Sequence, residues 1–332
     1  FKGASLNTLE TIALLVFSLI AAIFSYLVIE KRVRHLGAKT AITLCLMMAA
    51  IGFQGWNTYH REGLEYRLTK NIQISAEQKR DFLKWEQKEM LPTGNCNPGF
   101  IYPEAHVCAQ SNPSKEADIV VIGDSHAFSA YWGLAKAYGD GHSVRLIGQG
   151  ACLPFVNAEQ FGQYSTCKEN INNQIDWIAK NPAIKVVFLF HRNRQLDSNE
   201  IRNSFEQSAN ETFAKLLQAN KQVIYVYSLP ELNFEPRLCV GELPLGRKNP
   251  VNSCIYSLDR ELSKQAGYRS VMADVLKKYP SVGTYDPASF LCTQGLCSAL
   301  INDRVMFADS NHLSESGSNL QGVAIKKQFP LK

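Results

Sequence analysis

The sequence predicts an α/β protein: a doubly wound, five-stranded parallel sheet between helices, preceded by two transmembrane helices and a polar extension. Three observations predict it. From residue 118 onward, short unbroken apolar runs alternate with longer stretches of helical periodicity. Strands that are apolar on both faces belong in a parallel sheet covered on both sides, and their alternation with helices winds that sheet. Ahead of this pattern stand two long apolar runs without a charge, Thr11–Ile29 and Thr40–Trp56. At 332 residues, 45% apolar and 20% charged, the chain can build one large domain plus an appendage. Its net charge of +5 is mild and unclustered in the globular part, which gives no case for nucleic acid.

The first apolar run is long enough to cross a bilayer. It ends at Glu30-Lys31-Arg32-Val33-Arg34-His35, with Lys39 close behind. The second carries Trp56 and then Tyr59 at its far end, where interfacial aromatics belong. The basic link should stay cytoplasmic. Everything after about residue 56 is then expected on the opposite, non-cytoplasmic side. A buried helical hairpin in a soluble domain is the alternative. The chain opens on Phe1, and no basic segment precedes the apolar run. It therefore reads as the C-terminal piece of a longer protein rather than one with a signal peptide. The expected division is 1–56 for two membrane helices, 57–115 for a linker or extension, and 116–332 for the α/β domain.

Nine cysteines give a second view of the compartment. Cys45 lies in the second apolar run. The other eight fall into sequence-local couples: Cys96 with Cys108, Cys152 with Cys167, Cys239 with Cys254, and Cys292 with Cys297. Eight cysteines allow about 105 connectivities, so local pairing rests on loop length alone. An even number outside the membrane points to an oxidising compartment, in agreement with the topology. A zinc site is the rival, but no Cys-x-x-Cys is present and no metal is expected.

The extension, Asn57 to Lys115, is polar throughout. Ala76 to Met90 has helical character, with Phe82, Leu83 and Trp85 as packing points. Pro92, Gly94, Pro98, Gly99 and Pro103 then rule out long regular elements. It is expected to pack on the α/β domain, with a floppy linker as the alternative.

In the domain itself, Asp118–Gly123, Ser143–Ile147, Lys185–Phe190, Gln222–Ser228 and Arg304–Ala308 are the expected strands. Residues 127–138, 168–180, 200–219 and 258–279 are the expected helices. Sites in such sheets lie beyond the carboxyl ends of the strands. Ser125, Gly150, Asn193 and Asp309 all fall there. Val120-Val121-Ile122-Gly123-Asp124-Ser125-His126 puts a serine on a sharp strand-to-helix turn, beside the N–H groups of a helix N-terminus that suit a developing oxyanion. A serine needs a base and the base an orienter. Asp309-Ser310-Asn311-His312 offers both, three residues apart. Ser125 is thus the expected nucleophile, His312 the base and Asp309 its orienter. An ordinary turn at 123–126 and a helix cap at 309–314 is the bland alternative. Ser314 is expected to cap the final helix.

Gly123-Asp124-Ser125 resembles the first block of the SGNH/GDSL hydrolase superfamily, and Asp309-Ser310-Asn311-His312 its last, the Asp-x-x-His block. The resemblance spans roughly residues 115 to 325. It implies an oxyanion hole from the Ser125 N–H, a glycine of the second block and an asparagine of the third. Gly150 is the second-block choice, with Gly148 as rival, and Cys152-Leu153-Pro154 resembles the Cys-Pro-Pro found here in envelope-modifying relatives. The usual Gly-x-Asn-Asp is absent; His191-Arg192-Asn193-Arg194 stands in its place, leaving Asn193 as the third donor or as a turn cap. His126 and His191 read as structural residues that could line the pocket. Arg192 and Arg194 read as solvated, or as partners for an anionic sugar. Tyr131, Trp132 and Tyr164 read as core rather than a glycan platform.

Tyr26-Leu27-Val28-Ile29-Glu30-Lys31-Arg32-Val33-Arg34 is similar to the end of the last shared helix of the membrane-bound acyltransferase-3 family, some of whose members carry one more helix and a periplasmic SGNH domain. This implies O-acetylation of an envelope polysaccharide such as lipopolysaccharide O-antigen. The expected partners are a glycan acceptor, the lipid bilayer and the rest of the membrane acyltransferase domain. No cofactor is expected to be bound; acetyl groups would come from acetyl-CoA through that membrane domain. An esterase or deacetylase with the same triad is the first alternative. A non-catalytic glycan-binding domain is the second.

Overall fold

The computed structural model describes residues 8–31, 37–60, 76–82, 106–158, 165–240 and 254–331. Helix α1 (Thr8–Ser25) runs on as a π-helical turn, Tyr26–Glu30, and α2 spans Ala38–His60. Both are long and apolar enough to cross a membrane, and neither buries any of its described residues. They form a unit of their own.

The second unit starts with the short helix α3 (Ala76–Asp81) and the strand β1 (His106–Gln110). Then follow β2 (Ile119–Gly123), α4 (Ser125–Tyr138), β3 (Val144–Gln149), α5 (Cys167–Lys180), β4 (Val186–Phe190), α6 (Asn199–Gln218) and β5 (Gln222–Val226). The chain continues through β6 (Ile255–Ser257), α7 (Leu258–Lys278), β7 (Gly283–Tyr285) and α8 (Ala288–Leu291). Four two- or three-residue strands come next: β8 (Cys292–Thr293), β9 (Leu296–Ser298), β10 (Leu300–Ile301) and β11 (Arg304–Val305). Helix α9 (Glu315–Gln328) closes the unit.

The main sheet has the order β1-β3-β2-β4-β5-β7, parallel except for β1, which pairs antiparallel with β3. Side chains alternate across it, as the pleat demands. Val120, Ile122, Val187, Leu189, Val223 and Tyr225 enter one core with α5, α6 and α7. Ile119, Val121, Val186, Phe188 and Ile224 enter the other with α4 and α9. Every residue of β2 and β4 is buried, which is why these strands are apolar without alternation. The α/β class with a mostly parallel sheet between helices stands.

Two elements differ from expectation. Arg304–Ala308 does not form the fifth strand. Arg304 and Val305 pair with Leu300 and Ile301 in a hairpin, whose turn residues Asn302 and Asp303 sit at φ of 50° and 58°, the conformation of a type I′ turn. Met306 and Phe307 bury into a separate cluster with Leu229, Tyr256 and Leu291. The fifth parallel strand is β7, beside β5. The sheet also gains a sixth member, β1, from the stretch expected to lack long elements.

Helices α4 and α9 approach backbone to backbone at Gly133 and Gly322. A Cβ on Gly133 would lie 1.7 Å from the Ser318 carbonyl oxygen, and one on Gly322 2.2 Å from the Gly133 backbone. The Gly133 N–H donates to Ser318 Oγ at 2.8 Å. One of these helices starts at Ser125 and the other three residues after His312. Their direct contact brings the two ends of the chain's chemistry together.

Disulfides join Cys152 to Cys167, Cys239 to Cys254 and Cys292 to Cys297. Cys108 is also disulfide-bonded; Cys96 lies outside the described residues. Cys45 is free and exposed.

Candidate active site

Strand β2 ends at Gly123, where a Cβ would lie 2.0 Å from the Phe190 carbonyl oxygen. Only glycine lets the two strands run so close at the point where the chain turns into α4. Asp124 then caps α4: its Oδ1 accepts the His126 N–H at 2.9 Å. Its Oδ2 accepts the Arg192 N–H at 2.9 Å and lies 3.4 Å from Arg194 Nη2. One buried carboxylate thus holds both the nucleophile turn and the loop after β4. Ser125 is the first residue of the helix, so its N–H has no intrahelical acceptor.

His312 arrives on a closed loop. Phe307 bridges to Leu313. The Ala308 N–H donates to the His312 carbonyl at 2.9 Å, and the Ser314 N–H to the Met306 carbonyl at 3.0 Å. Ser314 caps α9 by accepting the Gly317 N–H at 2.9 Å. Across the loop, Asp309 Oδ1 accepts the N–H groups of Asn311 and His312 at 2.9 and 2.8 Å.

Ser125, His312 and Asp309 form a chain of hydrogen bonds. His312 Nε2 lies 2.7 Å from Ser125 Oγ, and His312 Nδ1 lies 2.8 Å from Asp309 Oδ2. A carboxylate only accepts, so the ring proton belongs on Nδ1. That leaves the Nε2 lone pair for the serine O–H. Partial burial pushes the Asp309 carboxyl up, but the hydrogen bond and charge of His312, with the two backbone donors, bring it down to about 2. It is therefore ionised at every pH where the protein would work.

The remaining predicted residues separate. Gly150 opens the turn closed by the Cys152 N–H on the Gln149 carbonyl, and a Cβ there would meet nothing within 4 Å. Its rival Gly148 would drive a Cβ to 2.1 Å from the Gly123 carbonyl oxygen, so it serves strand packing. The Asn193 amide donates to the Lys264 carbonyl at 3.4 Å, and its Oδ1 is buried with no partner among the described residues. The structure does not hydrogen-bond Gly150 or Asn193 to the triad.

His126 and His191 are both buried and both line the cavity beside the triad. His191 Nδ1 faces the Arg192 carbonyl and its Nε2 the Tyr225 hydroxyl, both at 2.7 Å; burial lowers its pKa to about 4. Burial, then the neighbouring His312, holds His126 well below the ordinary value, and its ring packs 5.3 Å from that of His312. Arg192 is exposed, as expected of a solvated arginine, whereas Arg194 is half-buried. Arg192 forms a two-pronged pair with Glu231 at 2.7 and 2.9 Å. Arg194 reaches the Ala151 carbonyl at 2.8 Å and so links the second-block turn to Asp124. Sequence reasoning missed this role, because nothing local pairs Arg194 with residues 43 and 70 positions earlier. Tyr131 and Trp132 are core; Tyr164 lies outside the described residues.

A cavity of about 230 Å³, counting its open mouth, lies beside His126 and reaches Ser129, Leu313 and Gln321. It is small for a sugar ring with its neighbours. The His312 side chain keeps 26% of its surface and Asp309 51%, so the triad lies at an open face. No group of three or more His, Cys, Asp or Glu could hold a metal among the described residues.

Residues 95–327 match the family described as "SGNH domain (fused to AT3 domains)". The periplasmic domain of a lipopolysaccharide acetyltransferase from Salmonella ser. Paratyphi A has a similar fold. It is 18% identical at a TM-score of 0.50, over 64% of this chain and 84% of that one. A protein from Slackia heliotrinireducens, described as a candidate SGNH hydrolase, aligns at 11% identity and a TM-score of 0.37, over 64% of this chain and 98% of that one. No curated protein matches the chain.

Proposed function

The chain belongs to the family of SGNH domains fused to AT3 domains, and on that premise we propose that it is an O-acetyltransferase acting on a hydroxyl of a cell-envelope polysaccharide, of the lipopolysaccharide O-antigen type. One observation carries the chemistry: Ser125 Oγ, His312 and Asp309 in a single hydrogen-bonded line.

In the proposed reaction Ser125 Oγ attacks the carbonyl carbon of an acetyl donor while His312 Nε2 takes the hydroxyl proton. Asp309 holds the Nδ1–H tautomer and offsets the charge of the imidazolium. The oxyanion is met by the Ser125 and Gly150 N–H groups, with the Asn193 amide as third donor. Collapse expels the donor's leaving group, which receives the proton from His312. A sugar hydroxyl then takes its place, loses its proton to His312 and attacks the acetyl-serine, which restores Ser125.

Asn193 joins the hole only by leaving its long hydrogen bond to Lys264. Asn193→Ala therefore tests it: a lost donor lowers the rate on the order of a hundredfold, whereas a turn-capping residue leaves it nearly unchanged.

The family's membrane fusion, the disulfides and the two apolar helices support a periplasmic site anchored in the inner membrane, with residues after about 56 outside. The acetyl group would come from acetyl-CoA through the membrane acyltransferase portion. The solved domain of like fold, a part of a lipopolysaccharide acetyltransferase by its description, supports this acceptor class. The open face of the triad suits a chain-like acceptor lying across it. The same openness favours a second reading, hydrolysis, since water reaches an acetyl-serine there as easily as a sugar does.

The test is mass spectrometry of acetyl transfer by the full chain in detergent, with p-nitrophenyl acetate as donor and envelope glycans as acceptors. Acetylated glycan that disappears in Ser125→Ala supports the transferase. Free acetate alone at saturating acceptor moves the assignment to an esterase.

A further inference from the structure

The loop that carries His312 is gripped from outside by a helix more than two hundred residues away in sequence. Helix α3 has only six residues, yet its side chains reach both feet of the loop. On the near side, Arg304 Nε donates to Asp81 Oδ2 at 3.0 Å and Arg304 Nη1 to Glu77 Oε2 at 3.0 Å. Gln78 Nε2 donates to the Asp303 carbonyl at 2.9 Å. On the far side, the Ser316 N–H donates to Asp81 Oδ1 at 3.0 Å, and Arg80 pairs with Glu315 at 3.1 Å. Asp81 is fully buried. Its two oxygens take one donor from each foot: the guanidinium before Asp309–His312 and a first-turn N–H of α9 after it.

This arrangement exceeds what attaching a linker needs. Exposed ion pairs such as Arg80 with Glu315 contribute little. A buried carboxylate with both oxygens committed fixes position, because moving either foot strands a desolvated charge. Arg304 feels the same contact, its pKa raised by the hydrogen bond to Asp81 despite desolvation. Between the feet, the loop's own closure at Phe307–Leu313 and Ala308–His312 transmits the spacing to the imidazole.

We propose that α3 is a clamp on the catalytic loop and that Asp81 is a positioning residue for His312, setting its distance and angle to Ser125. This rests on the reading of His312 as the base. In the sequence the clamp lies between the two apolar helices and the sheet, so the segment joining the membrane part to the domain also completes the site.

The experiment measures the rate at which a fluorophosphonate labels Ser125 in the full chain in detergent, against pH, with Ser125→Ala as the unlabelled control. Labelling needs neither donor nor glycan. Asp81→Asn keeps shape and removes charge. The expected result is labelling slowed about tenfold, short of the hundredfold that an ångström of displacement can cost. The pH midpoint of labelling should shift, and kcat with p-nitrophenyl acetate should fall at constant KM. An unchanged rate and midpoint, even with a lower melting temperature, overturns the proposal. If Asp81→Asn does not fold, the double variant Glu77→Ala with Gln78→Ala, at the helix's solvent edge, replaces it; an unchanged rate there overturns the proposal equally. A parent chain that labels but transfers no acetyl to glycan refutes the transferase reading and leaves the clamp standing. A parent that does not label at Ser125 refutes both.

Discussion

The two halves of the site are built by different means. The nucleophile half is regular: a five-residue strand, one glycine and a fourteen-residue helix place Ser125 through backbone geometry. The base half, Cys292 to Ser314, is a string of very short strands and tight turns. It holds its shape through a disulfide, two hairpins and side-chain contacts from α3. A nucleophile needs one fixed point. A base needs position and orientation as well, and here these come from a web of particular contacts.

The sharpest test of this contrast removes one chemical group from each half. Ser125→Ala should abolish labelling. Asp309→Asn should leave the fold intact and lower turnover about 10⁴-fold, the scale for losing the tautomer in such a triad. Next comes the backbone itself. Gly123→Ala forces a Cβ against the Phe190 carbonyl and should cost about 3 kcal/mol or more, read as a lower denaturation midpoint together with lost labelling. The regular half should also be acid-sensitive. An unfolded histidine takes its proton near 6.5 and buried His191 only near 4, so stability is full above 6.5 and drains as pH falls to 4. At about 1.4 kcal/mol per unit the loss reaches about 3 kcal/mol; denaturant melts of His191→Gln should show a shallower slope, with His126 supplying the rest.

The base half should respond to reduction instead. Replacing Cys292 and Cys297 by serine opens a loop of separation 5 and should cost about 2 kcal/mol in a chemical melt. The smallest change is Asp303→Gly, which relieves a positive φ and should alter stability by well under about 1 kcal/mol. If instead it slows labelling severalfold, the hairpin does more than carry Arg304.

The same contrast decides what could be read in the sequence. Four strands were legible because they are buried on both faces and so apolar throughout. β7 was not, since Gly283-Thr284-Tyr285 has hardly any apolar content; its place is set by pairing with Ile224 to Val226. β1 was not, because an edge strand next to several prolines carries no periodic signal. Arg304–Ala308 misled for the opposite reason: an apolar run reports burial and leaves the partner open, and Met306 and Phe307 are buried in a side cluster. Ser125, Asp309 and His312 stood out because a hydrogen-bonded Ser-His-Asp line imposes spacing. Asp81, the buried carboxylate of α3, did not. Its partners Arg304 and Ser316 lie more than two hundred positions away, and an isolated Asp in a polar stretch looks like any solvated residue.

The hydrogen bond between Ser125 and His312 spans 187 positions, and it depends on α9 lying against α4 through Gly133 and Gly322. Chains emerge amino end first, and contacts this distant in sequence close late. Through most of synthesis, then, the strand-turn-helix around Ser125 can already be formed while its hydroxyl lacks the imidazole. That partner arrives only when the last helix docks, so in a half-made chain Ser125 is an ordinary alcohol.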